Sequence, residues 1–501
     1  MNPVKVGICG LGTVGGGTFN VLKRNAEEIA RRAGRGIQVA QIAMRTPNPQ
    51  CDITGTPITN DVFAVATNPE IDIVIELIGG YTIARELVLK AIENGKHVVT
   101  ANKALIAVHG NEIFAKAQEK GVIVAFEAAV AGGIPVIKAI REGLSANRIN
   151  WVAGIINGTG NFILTEMREK GRTFEDVLAE AQALGYAEAD PTFDVEGIDA
   201  AHKLTILASI AFGIPLQFDK AYTEGITKLT TADVNYAEAL GYRIKHLGVA
   251  RSTANGIELR VHPTLIPADR LIANVNGVMN AVMVNGDAAG STLFYGAGAG
   301  MEPTASSVVA DLVDVVRAMT SDPENRVPHL AFQPDLLSDH PILPIEACES
   351  AYYLRIQAKD HPGVLAQVAS ILSERGINIE SIMQKEVEEH DGLAPCSCKP
   401  VLCVQRKSEG GCMKMLWGLG KALTLVFWGV VLINLYDPLI YPFDVLINAA
   451  GSLLLLTHAL EMLLFKARLQ DRPHPWRDRL LIIVLGIFHA YTLAEREPRH
   501  A

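Results

Sequence analysis

The chain has 501 residues, which is too long for one domain of ordinary size and suggests three or four folding units. Its 45 basic and 54 acidic residues give a formal charge of −9, so a nucleic-acid-binding role is disfavoured. Apolar residues make up 49% of the chain and the mean hydropathy is +0.21, which is high for a soluble enzyme.

The charge is unevenly distributed. Residues 396–501 contain 12 basic and 8 acidic residues, whereas residues 1–395 contain 33 basic and 46 acidic. The seven cysteines are too few and too scattered for a disulfide framework, and no secretory signal opens the chain. We therefore expect the larger part of the chain to lie in the cytoplasm.

Residues 1–135 alternate short apolar runs with helical periodicity, which is typical of a parallel sheet with covering helices. The predicted strands are Val4–Cys9, Ile37–Met44, Ile71–Ile78, His97–Thr100 and Val122–Phe126, and the predicted helices are Thr18–Arg32, Ile83–Asn94 and Glu112–Glu119. The fold class is therefore α/β, beginning with a Rossmann-type domain.

The first strand leads into a G-x-G-x-x-G motif, Gly10-Leu11-Gly12-Thr13-Val14-Gly15, at a strand-to-helix turn. In this context the first glycine permits the tight turn, the second lets backbone approach a pyrophosphate, and the third allows close helix–strand packing. The motif predicts dinucleotide binding; the alternative is a glycine-rich turn without a ligand.

Two further features mark the carboxyl edge of this sheet, where ligands bind in such folds. The second strand ends at Arg45, and a cation there suits a 2′-phosphate, so NADP is favoured over NAD; a solvated arginine is the alternative. Another strand leads into Thr100-Ala101-Asn102-Lys103, and its position makes Lys103 a candidate site residue. The alternative is an ordinary surface lysine.

Residues 136–322 predict a second α/β domain that binds substrate. Its predicted strands are Ile149–Ile156, Ile257–Val261 and Asn280–Val284, and its predicted helices are Asn161–Glu169, Phe174–Ala183, Val195–Phe212 and Ala305–Met319. The last helix, within residues 305–322, is expected to return to the first domain. Residues 323–350 are rich in proline and predict a linker.

Five acidic residues fall between Glu188 and Asp199, just before Lys203. Asp199 and Lys203 are spaced i, i+4 on a helix, so the carboxylate can hold the ammonium. The alternative is an ordinary exposed ion pair. The rest of the helix is apolar, which favours a pair beside a cleft.

Residues 351–395 predict a strand, a helix and a strand, at Tyr352–Ala358, Val364–Glu374 and Ile377–Val387, followed by a junction over residues 396–412. Residues 413–501 contain three apolar stretches, Met415–Tyr436, Val445–Phe465 and Leu480–Ala494, which predict two or three membrane helices. Arg406, Lys407 and Lys414 precede the first stretch, residues 437–444 contain no lysine or arginine, and residues 466–479 contain five. This distribution predicts a cytoplasmic amino-terminal side. The alternative is a buried helical hairpin.

Several motifs in order resemble the homoserine dehydrogenase family over residues 1 to about 395. The most specific is A-x3-G-Y-x3-D-P-x2-D-V-x-G-x-D-x3-K at residues 181–203. It is accompanied by the glycine motif, Thr100–Lys103, Glu127–Pro135, Asn157-Gly158-Thr159 and Gly296–Gly300.

The resemblance implies reversible, NAD(P)H-dependent reduction of L-aspartate 4-semialdehyde to L-homoserine, in threonine and methionine biosynthesis, by a homodimer. It implies Lys203 as proton donor, with Lys103 and Asp199 beside it. It also implies cofactor contacts, a substrate site and a monovalent cation site, normally for sodium. The residues implied are Thr13, Val14, Thr100, Lys103 and Gly300 for the cofactor; Gly185, Glu188, Asp194 and Asp199 for homoserine; and Glu127, Val130, Gly132 and Ile134 for the cation. The glycine motif adds Gly10, Gly12 and Gly15 to the cofactor residues, and the end of the second strand adds Arg45.

The carboxyl-terminal part departs from this family. Residues 351–387 resemble the start of an ACT domain, but the expected continuation is missing, which puts threonine feedback in doubt. The tail from Met413 resembles a small, uncharacterised bacterial inner-membrane protein. The alternatives to a membrane-attached enzyme are a misfused or frameshifted chain and an inactive, membrane-anchored nucleotide-binding protein.

Overall fold

A computed structural model describes residues 2–356, 363–385, 399–405, 412–464 and 475–485. The chain divides into two compact units, Met1–Gln405 and Arg406–Ala501.

The first sheet is entirely parallel, as the alternating pattern predicts. Its strand order is β3-β2-β1-β4-β5-β6. The strands are β1 (Val4–Cys9), β2 (Ile37–Ala43), β3 (Ile58–Thr59), β4 (Ile73–Glu76), β5 (His97–Thr100) and β6 (Val124–Ala125). The chain turns from one half of the sheet to the other between β1 and β4, so a crevice opens at their carboxyl ends.

Helices cover both faces of this sheet because its central strands are apolar on both sides. They are α1 (Thr13–Arg24), α2 (Ala26–Ala33), α3 (Val62–Thr67), α4 (Thr82–Glu93) and α5 (Lys103–Lys120). The helix predicted to begin at Glu112 begins nine residues earlier, at Lys103. Asn102 fixes this start, because its side chain caps the helix by accepting a hydrogen bond from the Leu105 N–H.

The second sheet is mostly antiparallel, in the order β12-β11-β7-β9-β10-β8. Its strands are β7 (Ile149–Ile155), β8 (Tyr222–Thr223), β9 (Tyr242–Thr253), β10 (Gly256–Pro267), β11 (Met279–Gly286) and β12 (Gly290–Ala297). The strand predicted at Ile257–Val261 is longer than expected, since its whole length pairs with β9. The sequence patterns gave no prediction for β9 or β12.

The helices of this region carry the acidic motif. They are the short α6 (Val136–Lys138), α7 (Gly158–Lys170), α8 (Phe174–Ala183), α9 (Thr192–Val195), α10 (Ile198–Phe212), α11 (Thr231–Ala239) and α12 (Met301–Ala318). The single helix predicted over Val195–Phe212 is interrupted, because Gly197 adopts a left-handed φ of +83° before α10. Helix α12 returns to pack its buried face into the same apolar cluster as α1.

A small three-stranded sheet follows the linker. It contains β13 (Ala351–Arg355), α13 (Val364–Glu374), β14 (Asn378–Lys385) and β15 (Lys399–Gln405), and its strand order is β13-β15-β14. The expectation that this module stops after two strands is wrong, because β15 lies inside the predicted junction. Its run of β-forming residues pairs with a neighbour on each edge. Residues 357–362 and 386–398, which include the predicted loop at Asp360–Pro362, lie outside the described residues.

The second unit consists of helices α14 (Cys412–Tyr436), α15 (Phe443–Leu464) and α16 (Pro475–Leu485). Within its described part, one stretch, Phe443–Leu460, is long and apolar enough to cross a membrane, and Thr424–Tyr436 is a shorter apolar stretch. The first predicted stretch lies in α14, and the second lies in α15 up to Leu464, with Phe465 outside the described residues. The third, Leu480–Ala494, continues beyond α16 outside the described residues.

Candidate active site

The glycine motif forms the turn between β1 and α1. Gly10 has a left-handed φ of +96°, and a Cβ there would lie 2.6 Å from the Leu77 carbonyl oxygen. A Cβ on Gly15 would lie 2.0 Å from the Gly10 carbonyl oxygen, whereas one on Gly12 would meet nothing within 4 Å. The turn is therefore closed at its outer glycines and open at Gly12, as backbone approach to a pyrophosphate requires.

A cavity of about 770 Å³ opens beside this turn. Its lining includes Gly10, Gly12 and Thr13 from the motif, Arg45 after β2, and Met301 at the start of α12. The Arg45 side chain is exposed and forms no ion pair with any described residue. The residues fit a dinucleotide with a further anionic group near the end of β2.

The other predicted cofactor residues lie outside this lining. Val14 is partly buried in the apolar cluster beneath the turn, next to Gly15. Gly300 has a φ of +122° and immediately precedes α12. Thr100 and Lys103 do not line the cavity in the described residues; they lie at the end of β5 and the start of α5.

One carboxylate joins the two predicted lysines. Asp199, in the first turn of α10, has its Oδ2 2.6 Å from the Lys203 Nζ and its Oδ1 3.0 Å from the Lys103 Nζ. Lys203 also donates to the Ile156 carbonyl oxygen at 2.8 Å. Because Lys103 begins α5 and Lys203 lies in α10, this ion-pair cluster joins the regions of the two large sheets.

The two lysines have opposite electrostatic environments. Burial lowers the pKa of Lys203, whereas the charge of Asp199 raises the pKa of Lys103. Burial alone would raise the pKa of Asp199, but the two ammonium groups outweigh it and lower the pKa. The cluster therefore contains a persistent cation and a second ammonium that gives up its proton more readily.

A residue that the sequence analysis did not assign to the site organises its acids. The Asn157 Nδ2 donates to Asp199 Oδ2 at 2.9 Å and to Asp194 Oδ1 at 2.8 Å. Its Oδ1 accepts from the Gly160 N–H and caps α7. A helix-capping asparagine just before Gly158-Thr159-Gly160 was the available signal, but it gave no sign of these distant partners.

The predicted substrate residues lie on the chain between α8 and α10. Burial raises the pKa of Asp194, which lies beside the lysine cluster. Glu188 is exposed, and its charge acts on Lys103. Gly185 is exposed with a left-handed φ of +74°. In the described part of the chain, no hydrogen bond joins the Gly185 or Glu188 residue to the cluster.

The predicted cation residues form a buried turn between β6 and α6. The Glu127 carboxylate accepts the Ile137 and Lys138 N–H groups, both at 2.8 Å. The Gly132 carbonyl oxygen accepts from Ser307 Oγ at 2.7 Å, and the Ile134 carbonyl oxygen accepts from the Val136 N–H.

Each of these carbonyl oxygens keeps a second lone pair, and the Val130 carbonyl oxygen accepts no hydrogen bond from the described residues. The described residues hold no cluster of three side chains of the usual metal-binding types. Carbonyl oxygens of this kind suit a monovalent cation better than a transition metal.

Comparison with known protein families assigns most of the chain. The family model for homoserine dehydrogenase matches residues 135–313, and the model for its NAD-binding domain matches residues 10–127. An ACT domain model matches residues 352–398, and a family of unknown function, DUF1145, matches residues 415–472.

Two curated relatives carry the name homoserine dehydrogenase. The protein of Pseudomonas aeruginosa is 91% identical over 395 residues, which are 79% of this chain and 91% of the relative. That of Neisseria gonorrhoeae is 60% identical over 388 residues, 77% of this chain and 89% of the relative.

Solved structures agree with these relatives. The crystal structure of a homoserine dehydrogenase from Thiobacillus denitrificans is 65% identical, with a TM-score of 0.76, and the match covers 81% of this chain and 92% of that one. A hyperthermophilic archaeal homoserine dehydrogenase in complex with NADPH is 25% identical, with a TM-score of 0.54, covering 63% of this chain and 98% of that one.

Proposed function

The chain belongs to the homoserine dehydrogenase family and catalyses the reversible NAD(P)H-dependent reduction of L-aspartate 4-semialdehyde to L-homoserine, and we propose how its residues divide this work. The observation that carries the proposal is the shared carboxylate of Asp199, which holds the ammonium groups of Lys203 and Lys103 in one cluster. Each lysine has a different role.

Lys203 is the proton donor. When bound, NAD(P)H supplies the hydride that reduces the aldehyde carbon, and the carbonyl oxygen then needs a proton. Burial makes the Lys203 ammonium more acidic than a free lysine, and Asp199 together with the Ile156 carbonyl oxygen fixes its direction. In the reverse direction the neutral amine accepts the proton from the homoserine hydroxyl.

Lys103 keeps its charge and stabilises the developing alkoxide. Its ammonium is held by Asp199 and lies 5.7 Å from the centre of the Phe193 ring. The carboxylates of Glu188 and Asp194 suit the ammonium group of the amino-acid substrate, with Gly185 contributing backbone. Asn157 keeps Asp194 and Asp199 oriented.

Steady-state turnover tests this division of roles. We expect the purified chain to oxidise NADPH when aspartate 4-semialdehyde is added, and Asp199→Asn to lower kcat by about 100-fold or more, because both lysines lose their shared anion. The alternative of an inactive nucleotide-binding protein requires NADPH binding with no turnover.

For the cofactor, NADP is the proposed preference. The glycine turn with Thr13 and Val14 holds the pyrophosphate, Thr100, Lys103 and Gly300 contact the remainder, and Arg45 binds the 2′-phosphate. Arg45→Ala should lower the ratio of kcat/KM for NADPH over NADH by about 10-fold, the size of one lost charged hydrogen bond. The exposed Arg270→Ala is the control, and an unchanged ratio in Arg45→Ala contradicts the preference.

A sodium ion is proposed for the turn that contains Glu127, Val130, Gly132 and Ile134. The support is the set of buried carbonyl oxygens with free lone pairs. Sodium should raise the melting temperature of the wild type more than choline at equal ionic strength. Glu127→Gln should reduce the difference, and equal melting temperatures in both salts contradict the site.

The chain is also proposed to form a homodimer whose tail associates with the inner membrane, with the catalytic region in the cytoplasm. The support for membrane association is the apolar stretch Phe443–Leu460 and the DUF1145 match. Recovery of the intact chain in the soluble fraction of lysed cells contradicts it. Light scattering of the detergent-solubilised chain tests the dimer, and sequencing of the gene across codons 388–415 tests whether the fusion is genuine.

A further inference from the structure

Glu76 is a buried carboxylate beside the cofactor crevice. It has no role in the proposed reaction. It ends β4 beside Thr100, which ends β5, and the two residues are paired in the sheet register. Both are completely buried. A buried carboxylate is unfavourable unless donors surround it, so its presence needs a reason.

Three donors surround this carboxylate. Its Oε1 accepts the Ile78 N–H at 2.9 Å and the Gly79 N–H at 3.3 Å, and its Oε2 accepts the Thr100 hydroxyl at 2.6 Å. Ile78 lines the cofactor cavity. Glu76 therefore fixes one wall of that cavity through backbone groups.

The same carboxylate is connected to the start of α5. The Thr100 Oγ1 accepts the Asn102 N–H at 3.0 Å, and Asn102 caps α5 through the Leu105 N–H. The Asn102 Nδ2 donates to the Gly80 carbonyl oxygen, which closes a ring of hydrogen bonds around Glu76. Lys103 is the first residue of α5 and is the next residue after this ring.

We propose that Glu76 is a positioning residue that holds the cofactor-cavity wall and the first turn of α5 in register, and thereby sets the Lys103 ammonium opposite Asp199. This inference rests on the proposed role of Lys103. The Lys103 Nζ is 3.0 Å from Asp199 Oδ1, and a displacement of about 1 Å in such a group can lower turnover by about 100-fold.

A double-mutant cycle with Glu76→Gln and Thr100→Val tests the connection. Glu76→Gln keeps an oxygen for the two N–H groups but places an amide N–H against the Thr100 hydroxyl. We expect each single change to lower kcat by about 10-fold, because each breaks the same connection to α5, and the double variant to be no slower than the slower single variant. Thr100→Ser, which keeps the hydroxyl, should restore most of kcat.

The affinity for NADPH separates positioning from general damage. Glu76→Gln keeps an acceptor for the two backbone N–H groups of the cavity wall, so its Kd measured by NADPH fluorescence should change by less than about 3-fold while kcat falls. The kcat of Thr100→Val is compared with that of a threonine variant outside the cofactor site. Thr165→Val is the matched control, since Thr165 is a buried threonine in α7 whose hydroxyl also makes two hydrogen bonds. It should lower the melting temperature comparably and leave kcat within about 2-fold.

Multiplicative losses in the double variant, or equal kcat in Thr100→Val and the Thr165→Val control, overturn the inference. Failure of the proposed function is a different result, because it appears as normal turnover in Lys203→Ala whatever the Glu76 variants do.

Discussion

The catalytic region and the tail place polar and apolar side chains in opposite ways. In residues 2–356 the apolar side chains of the central strands of the first sheet are buried, for example Ile8 and Ile75, and most charged side chains are exposed. In the tail, Leu432 is 65% exposed while its near neighbour Asn434 is 1% exposed. In the described part of the tail, polar side chains such as Asn434 and His458 are therefore buried together with a few apolar ones, and large apolar side chains form much of the surface.

Several polar side chains inside the described part of the tail form hydrogen bonds within it. The Asn434 amide donates to the Asp444 carbonyl oxygen and to Asn448 Oδ1, at 3.0 and 3.1 Å. The Trp428 indole donates to the Val484 carbonyl oxygen at 2.8 Å. This arrangement supports the proposal of a bilayer environment, because a hydrocarbon phase accepts exposed leucines and requires internal partners for polar groups.

The largest effect is expected in the catalytic region, at the ion-pair cluster of Lys203, Asp199 and Lys103. Lys203→Ala should lower kcat by about 100- to 10,000-fold, because the alkoxide loses its proton donor, while NADPH binding stays nearly intact. Stopped-flow turnover and NADPH fluorescence measure the two quantities. Lys116→Ala, which removes an exposed lysine from α5, is the control, and near-normal turnover in Lys203→Ala contradicts the catalytic assignment.

The next largest effect is expected when a charge is introduced on the apolar surface of the tail, where it should weaken membrane association. Leu453→Arg should shift the chain from the membrane to the soluble or aggregated fraction. Leu453 is 67% exposed near the middle of the Phe443–Leu460 stretch, and a central arginine costs roughly 3 kcal/mol of insertion, or about 100-fold. Leu336→Arg is the matched control, because Leu336 is an equally exposed leucine of the catalytic unit. Identical fractionation of the two variants contradicts a lipid-facing tail.

Lowering the pH is expected to reduce the free energy of unfolding of the catalytic region through His97. Its Nδ1 accepts the Ile123 N–H at 2.9 Å, and burial lowers the pKa of His97 from 6.5 to about 4. Between these values the unfolded chain binds a proton that the folded chain does not, so the free energy of unfolding decreases as pH falls. The loss at pH 5.5 is about 1 kcal/mol relative to pH 7.5.

Melting temperatures at the two pH values measure this effect. His97→Asn keeps an acceptor for the Ile123 N–H without a titrating ring, so its melting temperature should depend less on pH. The exposed His340→Asn is the control. A pH dependence in His97→Asn as steep as that of the wild type contradicts the prediction.

The smallest expected effect lies where the small sheet contacts α11. The Tyr353 hydroxyl donates to Asp233 Oδ1 at 3.0 Å, and Arg355 Nε lies 2.9 Å from the same oxygen. Tyr353→Phe should cost about 1 kcal/mol and lower the melting temperature by about 2 °C. Tyr352→Phe, on the exposed side of the strand, should have no effect, and equal melting temperatures in both variants contradict the contact.

Local patterns were sufficient to predict five of the six strands of the first sheet and half of the site. The strand-to-helix glycine motif predicted the turn beside the cavity, and the i, i+4 spacing of Asp199 and Lys203 predicted their ion pair. Both signals are contained in fewer than ten residues, so no tertiary information is needed to recognise them.

The remaining features depend on distant partners. Nothing in the sequence around Asn157 indicates that it reaches Asp194 and Asp199, which lie 37 and 42 positions further along. The strand β15 was missed for the same reason, because its place in the small sheet depends on neighbours on both sides. Glu76 lies inside the predicted strand Ile71–Ile78, and its ring of donors appears only when β4 and β5 are paired.

The carboxylate of Asp199 also makes activity a sensitive indicator of correct folding. Its two lysine partners come from helices attached to different sheets, so under the proposed roles a chain in which only one half has folded lacks the complete catalytic group. Such a half-folded intermediate cannot act on the reactive aldehyde, even if its nucleotide site has already formed. Recovery of turnover during refolding would therefore report the docking of the two halves, and would come later than recovery of NADPH binding.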